Sequence, residues 1–130
     1  AAAGVRAIRL KRSDEVAGFD IIQKHKERES AQDTLLVVMG QGYGKQTPLK
    51  EYKLQNRGGS GIRTANITSK TGPLKTGWII TDEEDIFALS AKGNMIRTKL
   101  ESVRTAGRAT QGVRIMNLKP GDSLAAIVVI

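Results

Sequence analysis

Residues 55 to 63 read Gln-Asn-Arg-Gly-Gly-Ser-Gly-Ile-Arg and place two guanidinium groups and three glycines in one short polar stretch. Arg57 and Arg63 can each offer paired N–H donors to the oxygens of a phosphate group. Gly58 and Gly59 have no Cβ, so the backbone there can approach a partner closely. A plain turn or a flexible basic segment has the same composition. The residue types therefore make this stretch a candidate anion-binding loop.

The stretch recurs, in altered form, in a second copy of a longer pattern. Shifting the sequence against itself by about 51 residues aligns Gly42 with Gly93, Thr47 with Thr98, Leu49 with Leu100, Arg57 with Arg108, Gly61 with Gly112, and Arg63 with Arg114. The second loop keeps both arginines and the last glycine but lacks the Gly-Gly pair. Residues 4 to 16 also match residues 112 to 124, which indicates the tail of a third copy.

These matches predict how the chain is divided. Residues 1 to 32 are expected to hold the end of a preceding repeat and a polar connection, which contains His25. Residues 33 to 83 form a repeat with a degenerate Gly-Arg box, and residues 84 to 130 form a closing repeat.

Short apolar runs bounded by turn residues predict strands rather than helices. We expect nine of them, at residues 16–22, 34–39, from 45 onward, 62–67, 74–81, 86–89, 95–100, 113–118 and 124–130. Trp78 is interpreted as a core or blade-interface residue, because too few aromatics exist for a base-stacking platform. The pattern therefore favours an all-β fold of propeller-like blades, in two repeats plus part of a third.

The charge balance favours a polyanionic partner. Lysine and arginine number 21 against 13 acidic residues, which gives a net charge of +8 in 130 residues. A basic surface can also serve solubility alone. Only 4% of residues are aromatic, so Val, Ile, Leu and Ala must supply the core.

Residues suited to metal binding or catalysis are scarce. The chain has no cysteine and one histidine, which excludes thiolate metal sites and a catalytic triad. The acidic run at residues 82 to 85 lacks the alternating spacing of a calcium loop and indicates a solvated turn. We expect no metal, no cofactor and no catalytic residue. No apolar run could serve as a signal peptide or a membrane span, so we expect a cytoplasmic protein.

The order of these motifs resembles the C-terminal domain of the A subunit of DNA gyrase. The first copy carries the resemblance in Thr34-Leu35-Leu36, in residues 42 to 49 (Gly-Tyr-Gly-Lys-Gln-Thr-Pro-Leu), in Tyr52 and in residues 55 to 61. The second copy is similar to the closing repeat of that domain through Gly93, Ile96-Arg97-Thr98, Gly107-Arg108, residues 111 to 114 and Asn117-Leu118.

The resemblance implies a β-pinwheel, a disc of usually six blades that exchange strands and wrap DNA around a basic rim. The hallmark box of the family, Gln-Arg-Arg-Gly-Gly-Lys-Gly, maps onto residues 55 to 61, where Asn56 and Ser60 replace an arginine and the lysine. This change indicates a weakened copy of the box. Tyr43 and Tyr52 do not match the strand-breaking tyrosine of the family and are expected to pack within the hairpin.

By the same resemblance, the function is DNA binding and bending that presents DNA for strand passage during negative supercoiling. The implied partners are double-stranded DNA, the rest of the A subunit of gyrase, and the subunit with ATPase activity. The expected DNA contacts, each of which could also be a solvated charge, are Lys45, Lys53, Arg57, Gly58, Gly59, Arg63, Lys92, Arg97, Lys99, Arg104, Arg108 and Arg114. Two alternatives remain: the equivalent domain of topoisomerase IV, and a module that self-associates through open blade edges.

Overall fold

The computed structural model describes residues 1 to 22 and 33 to 130, so His25 and most of the polar connection lie outside the described residues. The described part is all-β, as predicted. Its strands are β1 (Thr34–Met39), β2 (Tyr43–Pro48), β3 (Leu74–Ile80), β4 (Asp85–Ser90), β5 (Met95–Lys99), β6 (Val113–Arg114) and β7 (Leu124–Val129). Two 3-10 turns, Leu49–Glu51 and Leu100–Ser102, follow β2 and β5.

The strands form two antiparallel sheets that repeat one design. The first has the order β3-β1-β2-β6 and the second the order β5-β4-β7. Val37 faces Lys45 in the first hairpin, and Ala88 faces Ile96 at the same place in the second. β6 belongs to the second copy in sequence, yet it pairs with β2 of the first copy. The first blade is therefore completed by a strand from the following repeat.

β1 is a continuous apolar run because both of its faces are covered. Leu36 and Val38 belong to a core shared with β3, β4 and β7, against which Trp78 packs partly buried. The opposite face of β1, with Val37 and Met39, packs in a smaller cluster. Trp78 therefore lies at the core between the blades, in agreement with its interpretation from the sequence.

Backbone dihedrals follow the repeat in all three copies. Gly4, Gly61 and Gly112 occupy equivalent positions and have φ angles of 82°, 74° and 77°. Ser13 has φ 67° at the position equivalent to Gly121, whose φ is 77°. The left-handed residue before the arginine-bearing segment is thus a glycine in all three copies. The second left-handed position is a serine in the N-terminal copy and a glycine in the closing repeat.

Two predicted strands are wrong, and one is shorter than expected. Residues 16 to 22 and 62 to 67 form no strand, and the strand predicted at 113 to 118 shortens to β6. The segment 62 to 67 is equivalent to β6, but the described residues supply no β2-like strand beside it. Residues 16 to 22 lie beside β3, where the Ile79 N–H donates to Asp20 Oδ2 at 3.2 Å. This is a bond to a side chain and does not form a ladder of backbone hydrogen bonds. A strand needs a hydrogen-bonded neighbouring strand, and residues 1–22 and 33–130 supply none for these two segments.

The described residues contain no helix with the length and apolar character needed to cross a bilayer.

Gly112→Ala should destabilise the fold far more than Gly93→Ala. Both glycines have positive φ, so both substitutions incur a left-handed penalty of roughly 1–2 kcal/mol. A methyl group at residue 112 would also collide with the Gly44 carbonyl of β2, whereas at residue 93 it meets no atom within 4 Å. We expect urea unfolding to show a loss of about 1 kcal/mol for Gly93→Ala and roughly 3 kcal/mol or more for Gly112→Ala. Equal losses would contradict the close approach of β6 to β2.

Candidate nucleic-acid interface

The arginine loop of the first copy is held through its glycines. The Gly58 N–H donates to the Ala7 carbonyl at 2.7 Å, and the Arg9 N–H donates to the Gly59 carbonyl at 2.8 Å. The close approach that glycine permits is therefore made to residues 7 to 9 of this chain. Gly58 is predicted from the sequence to contact DNA, but its N–H is bonded within the chain. The Arg57 side chain remains exposed.

A cleft beside this loop gathers cations from two copies of the repeat. It is lined by Arg63 of the first arginine loop and by Arg9 and Lys11 of the N-terminal segment, with Asp14 as its one carboxylate. The excess of positive charge suits a phosphate group. Arg9 and Lys11 are absent from the set predicted from the sequence. The repeat aligns Lys11 with Lys119, and neither lysine belongs to the predicted set, so no signal in the sequence singled out Lys11.

Four of the expected DNA contacts are exposed and free of ion pairs and side-chain hydrogen bonds to the described residues. They are Lys53, Arg57, Arg63 and Arg104. Because their side chains form no ion pair with a described carboxylate, their N–H donors remain available to a phosphate. They are the strongest members of the predicted set.

Arg108 of the second loop connects the two arginine loops. Its Nη1 donates to the Arg63 carbonyl at 3.0 Å, and its backbone N–H donates to Glu51 Oε2 at 3.3 Å. Arg108 is consequently half-buried and keeps only part of its donor set for an external anion.

Arg114 and Lys70 lie against the ring of Tyr43, at the seam that β6 makes with β2. The Arg114 guanidinium is 5.4 Å from the ring centroid and the Lys70 ammonium 5.6 Å. Arg114 Nη2 also donates to the Tyr43 hydroxyl at 3.0 Å, and Nη1 donates to Asn117 Oδ1 at 2.9 Å. This hydrogen bond and the two positive charges hold the pKa of Tyr43 below its usual range, although burial opposes them. Tyr43 is buried in the hairpin, as expected, and orients two cations.

Arg97 and Lys99 both pair with the buried carboxylate of Asp85. Arg97 donates through Nε and Nη2 to Asp85 Oδ2, and the Lys99 ammonium lies 3.1 Å from Asp85 Oδ1. These hydrogen bonds hold the pKa of Asp85 below its usual range, and the bond to Asp85 raises the pKa of Lys99. Both cations remain largely exposed, with the Arg97 side chain at 62%. Their first role is to join β4 to β5.

Lys92 lies in the exposed turn between β4 and β5. Its backbone N–H donates to Asp122 Oδ1 at 3.1 Å, and its ammonium is 3.5 Å from the Pro120 carbonyl. Burial would raise the pKa of Asp122, but hydrogen bonds from Ser90, Ser123 and Lys92 outweigh it and lower that pKa. The carboxylate thereby fixes the turn that presents Lys92.

Lys45 does not lie on the surface, so its prediction as a DNA contact is wrong. Its exposed fraction is 0%, and its ammonium donates to the carbonyls of Gly107 and Arg108 and to Thr110 Oγ1. The sequence could not reveal this, because the acceptors come from the second copy. Across residues 1–22 and 33–130, no group of three potential ligands could hold a metal ion.

Antiparallel blades that complete one another and carry an arginine loop in each copy define a propeller-like repeat protein. The chain belongs to the DNA gyrase C-terminal domain, beta-propeller family, whose model matches residues 1–23, 33–72 and 84–130. The resemblance inferred from the motifs is thereby confirmed.

Two relatives are A subunits of DNA gyrase. That of Staphylococcus epidermidis is 41% identical over 126 residues, which are 97% of this chain and 14% of the relative. That of Staphylococcus aureus strain MRSA252 is 41% identical over 117 residues, which are 90% of this chain and 13% of the relative. The chain thus spans about one seventh of the length of the relatives it matches.

Two solved structures share the fold. A DNA gyrase A C-terminal domain aligns with a TM-score of 0.69 at 24% identity, over 74% of this chain and 33% of that structure. The C-terminal domain of a DNA topoisomerase IV aligns with a TM-score of 0.79 at 22% identity, over 95% of this chain and 36% of that structure. Both confirm the pinwheel-type β architecture of the partial disc.

Arg114→Gln should raise the pKa of Tyr43. The hydrogen bond from Arg114 is the main cause of the lowered pKa, and glutamine removes its positive charge. A carbon-13 NMR titration of the tyrosine ring would measure the shift. Lys70→Gln, which removes a weaker influence, should raise the pKa less.

The same pKa sets a pH dependence of stability. Because the folded pKa of Tyr43 is depressed, the stabilisation by its phenolate is present above the unfolded pKa and is lost as pH falls through the folded pKa. Unfolding free energies measured across the alkaline range should therefore rise with pH in the parent chain and rise less in Arg114→Gln. Identical profiles would show that the Arg114–Tyr43 contact is absent in solution.

Proposed function

We propose that this chain binds double-stranded DNA through its phosphates, without sequence preference, and bends it as part of the A subunit of a DNA gyrase. The cationic cleft of Arg9, Lys11 and Arg63 carries the proposal, since it concentrates positive charge beside the exposed arginine loop. Net charge of +8 and membership of the gyrase C-terminal family support the same partner. Such a protein acts in the cytoplasm, where its DNA lies.

The mechanism is electrostatic. Curving a duplex costs elastic energy, and contacts between cations and successive phosphates offset that cost without any need to contact the bases. In this role the segment presents DNA for strand passage, while strand cleavage and ATP hydrolysis belong to other parts of the enzyme. The corresponding protein partners are the rest of the gyrase A subunit, together with the subunit that hydrolyses ATP.

The altered box also fits the alternative that the chain belongs to a topoisomerase IV. Asn56 and Ser60 stand where the hallmark sequence has an arginine and a lysine, which reduces the positive charge of this loop. The equivalent domain of topoisomerase IV, in which boxes degenerate and wrapping is weaker, would carry such a loop. The relatives with 41% identity to the chain are gyrase proteins, and we therefore place gyrase first.

Ligation of nicked circular DNA in the presence of the chain tests bending directly. After deproteinisation, a linking-number distribution shifted relative to the protein-free control would support chiral wrapping of the gyrase kind. Binding without any shift would favour the weaker, topoisomerase IV-like mode. Absence of binding at low salt would refute both.

Arg57→Ala and Arg63→Ala should each weaken DNA binding equally for unrelated sequences. Each lost phosphate contact should reduce the slope of log affinity against log salt by about 0.9. Fluorescence anisotropy with two duplexes of different sequence, at several salt concentrations, would measure both effects. Lys75→Ala is the matched control, because Lys75 is exposed on β3 and lies outside the cationic cleft. Slopes equal to that of Lys75→Ala would remove both arginines from the interface.

Self-association is a second candidate function, favoured by the apolar side chains of the N-terminal segment. Val5, Val16, Phe19 and Ile21 have exposed fractions of 71%, 60%, 91% and 75%. Exposed apolar surface of this kind, beside an open sheet edge, is typical of protein contacts.

If this surface mediates association, the mass from sedimentation equilibrium should rise with concentration, and Phe19→Ser should reduce that rise. Leu54→Ser is the matched control, because Leu54 is fully exposed outside the N-terminal segment. A constant monomer mass in the parent chain would exclude self-association.

A further inference from the structure

We propose that Lys45 is a positioning residue: its buried ammonium shapes the loop of the following repeat that carries Arg108. The geometry of one arginine loop would then be set by the β-hairpin of the preceding repeat. The consequence for DNA rests on the proposed function, whereas the shaping of the loop does not.

The ammonium of Lys45 is held by three acceptors of one loop. Nζ donates to the Gly107 carbonyl at 2.6 Å, to the Arg108 carbonyl at 2.7 Å and to Thr110 Oγ1 at 3.1 Å. An ammonium has three N–H donors, so the loop satisfies all of them. Lys45 lies on β2, whose sequence is separated from this loop by β3, β4 and β5. The contact thus joins two successive repeats.

The charged ammonium of Lys45 is bonded to carbonyl and hydroxyl oxygens and not to a carboxylate. Burial lowers the pKa of Lys45, Glu51 opposes this effect and Arg108 adds to it. A buried ammonium is tolerated when every donor is paired, and bonds from a charged donor are stronger than neutral ones. Thr110 Oγ1 in turn donates to the Gly107 carbonyl at 2.9 Å. The loop therefore closes around the ammonium, which neutralises carbonyl dipoles that would otherwise repel one another.

The rest of the chain shows that this arrangement is specific to one seam. Ile96 occupies the place of Lys45 in the second hairpin, where it is partly buried against the core. The loop of the first copy is held by residues 7 to 9 instead. Only the loop at residues 107 to 112 has a lysine beneath it in the described part of the chain.

The shaped loop determines where Arg108 lies. With the Arg108 carbonyl fixed by Lys45, its backbone N–H meets Glu51 and its Nη1 meets the Arg63 carbonyl. Arg108 is thereby placed beside Arg63 of the cationic cleft. Removing the ammonium should release this placement without touching any exposed charge.

The test compares Lys45→Met, which keeps the aliphatic stem, with Lys75→Met, which removes the same charge from an exposed site. In Lys45→Met, exchange of the Ala106 and Arg108 amides, which donate to the Gln46 carbonyl and to Glu51 Oε2, should accelerate by about tenfold or more, while β1 and β4 keep their protection. The NMR signal of Arg108 Nε–Hε should move in Lys45→Met and stay in place in Lys75→Met. Unchanged exchange in the loop, or equal acceleration in all strands, would overturn the proposal.

DNA affinity supplies an independent readout. Lys45→Met should weaken binding as much as Arg108→Ala, and the double variant should be no weaker than either single variant, because both remove the same contact. Additive losses would overturn the link to Arg108. If the parent chain binds no DNA, the proposed function fails, while the exchange experiment still decides whether Lys45 shapes the loop.

Thr110→Val tests the same contact in case Lys45→Met does not fold. It removes one acceptor from the exposed loop and leaves Lys45 in place. The expected result is a smaller acceleration of exchange, confined to the Ala106 and Arg108 amides. A loop as well protected as in the parent chain would contradict the proposal.

Discussion

The addition of β6 to β2 is the constraint on which the rest of the structure depends. The β2 hairpin and β6 meet at Gly44 and Val113, where a Cβ on Gly44 or on Gly112 would enter occupied space. The arginine loop that precedes β6 is brought over Lys45 by this pairing, and Arg114 within β6 is brought to the ring of Tyr43. The two glycines at the closest approach therefore determine where Arg108 and Arg114 lie.

The positive charges divide into those that build the fold and those that remain for a partner. Lys45 is buried, and the loop above it accepts all of its ammonium hydrogen bonds. Arg97 and Lys99 use part of their donors on Asp85. The side chains of Arg57 and Arg63 are exposed and form no ion pair or hydrogen bond with the described residues. Neutralising phosphates requires exposed cations that are not paired within the protein. The net charge therefore overstates the number of cations that can contact DNA. The cationic cleft is a better measure of where DNA could lie than the number of lysines and arginines.

Much of the fold can be predicted from residues whose environment is local. The sequence pattern predicts β1 with its observed limits, because an uninterrupted run of apolar side chains between turns has few alternatives. It predicts β3 and β7 to within one residue at their ends. The strands predicted at residues 16 to 22 and 62 to 67 are wrong because a strand exists only beside a partner, which pattern alone does not supply. Lys45 is misplaced for the same reason, since its burial depends on a loop more than sixty positions away.

The exchange of β6 also imposes an order on synthesis. β2 leaves the ribosome with its outer edge unpaired, and that edge waits until residue 114 has been translated. During this interval Lys45 has none of its acceptors, because residues 107 to 110 do not yet exist. An unpaired edge strand is a template for wrong pairing, yet a solvated ammonium on the same strand opposes association with apolar chains. The side chain that later becomes buried can thus protect the nascent blade while it is incomplete.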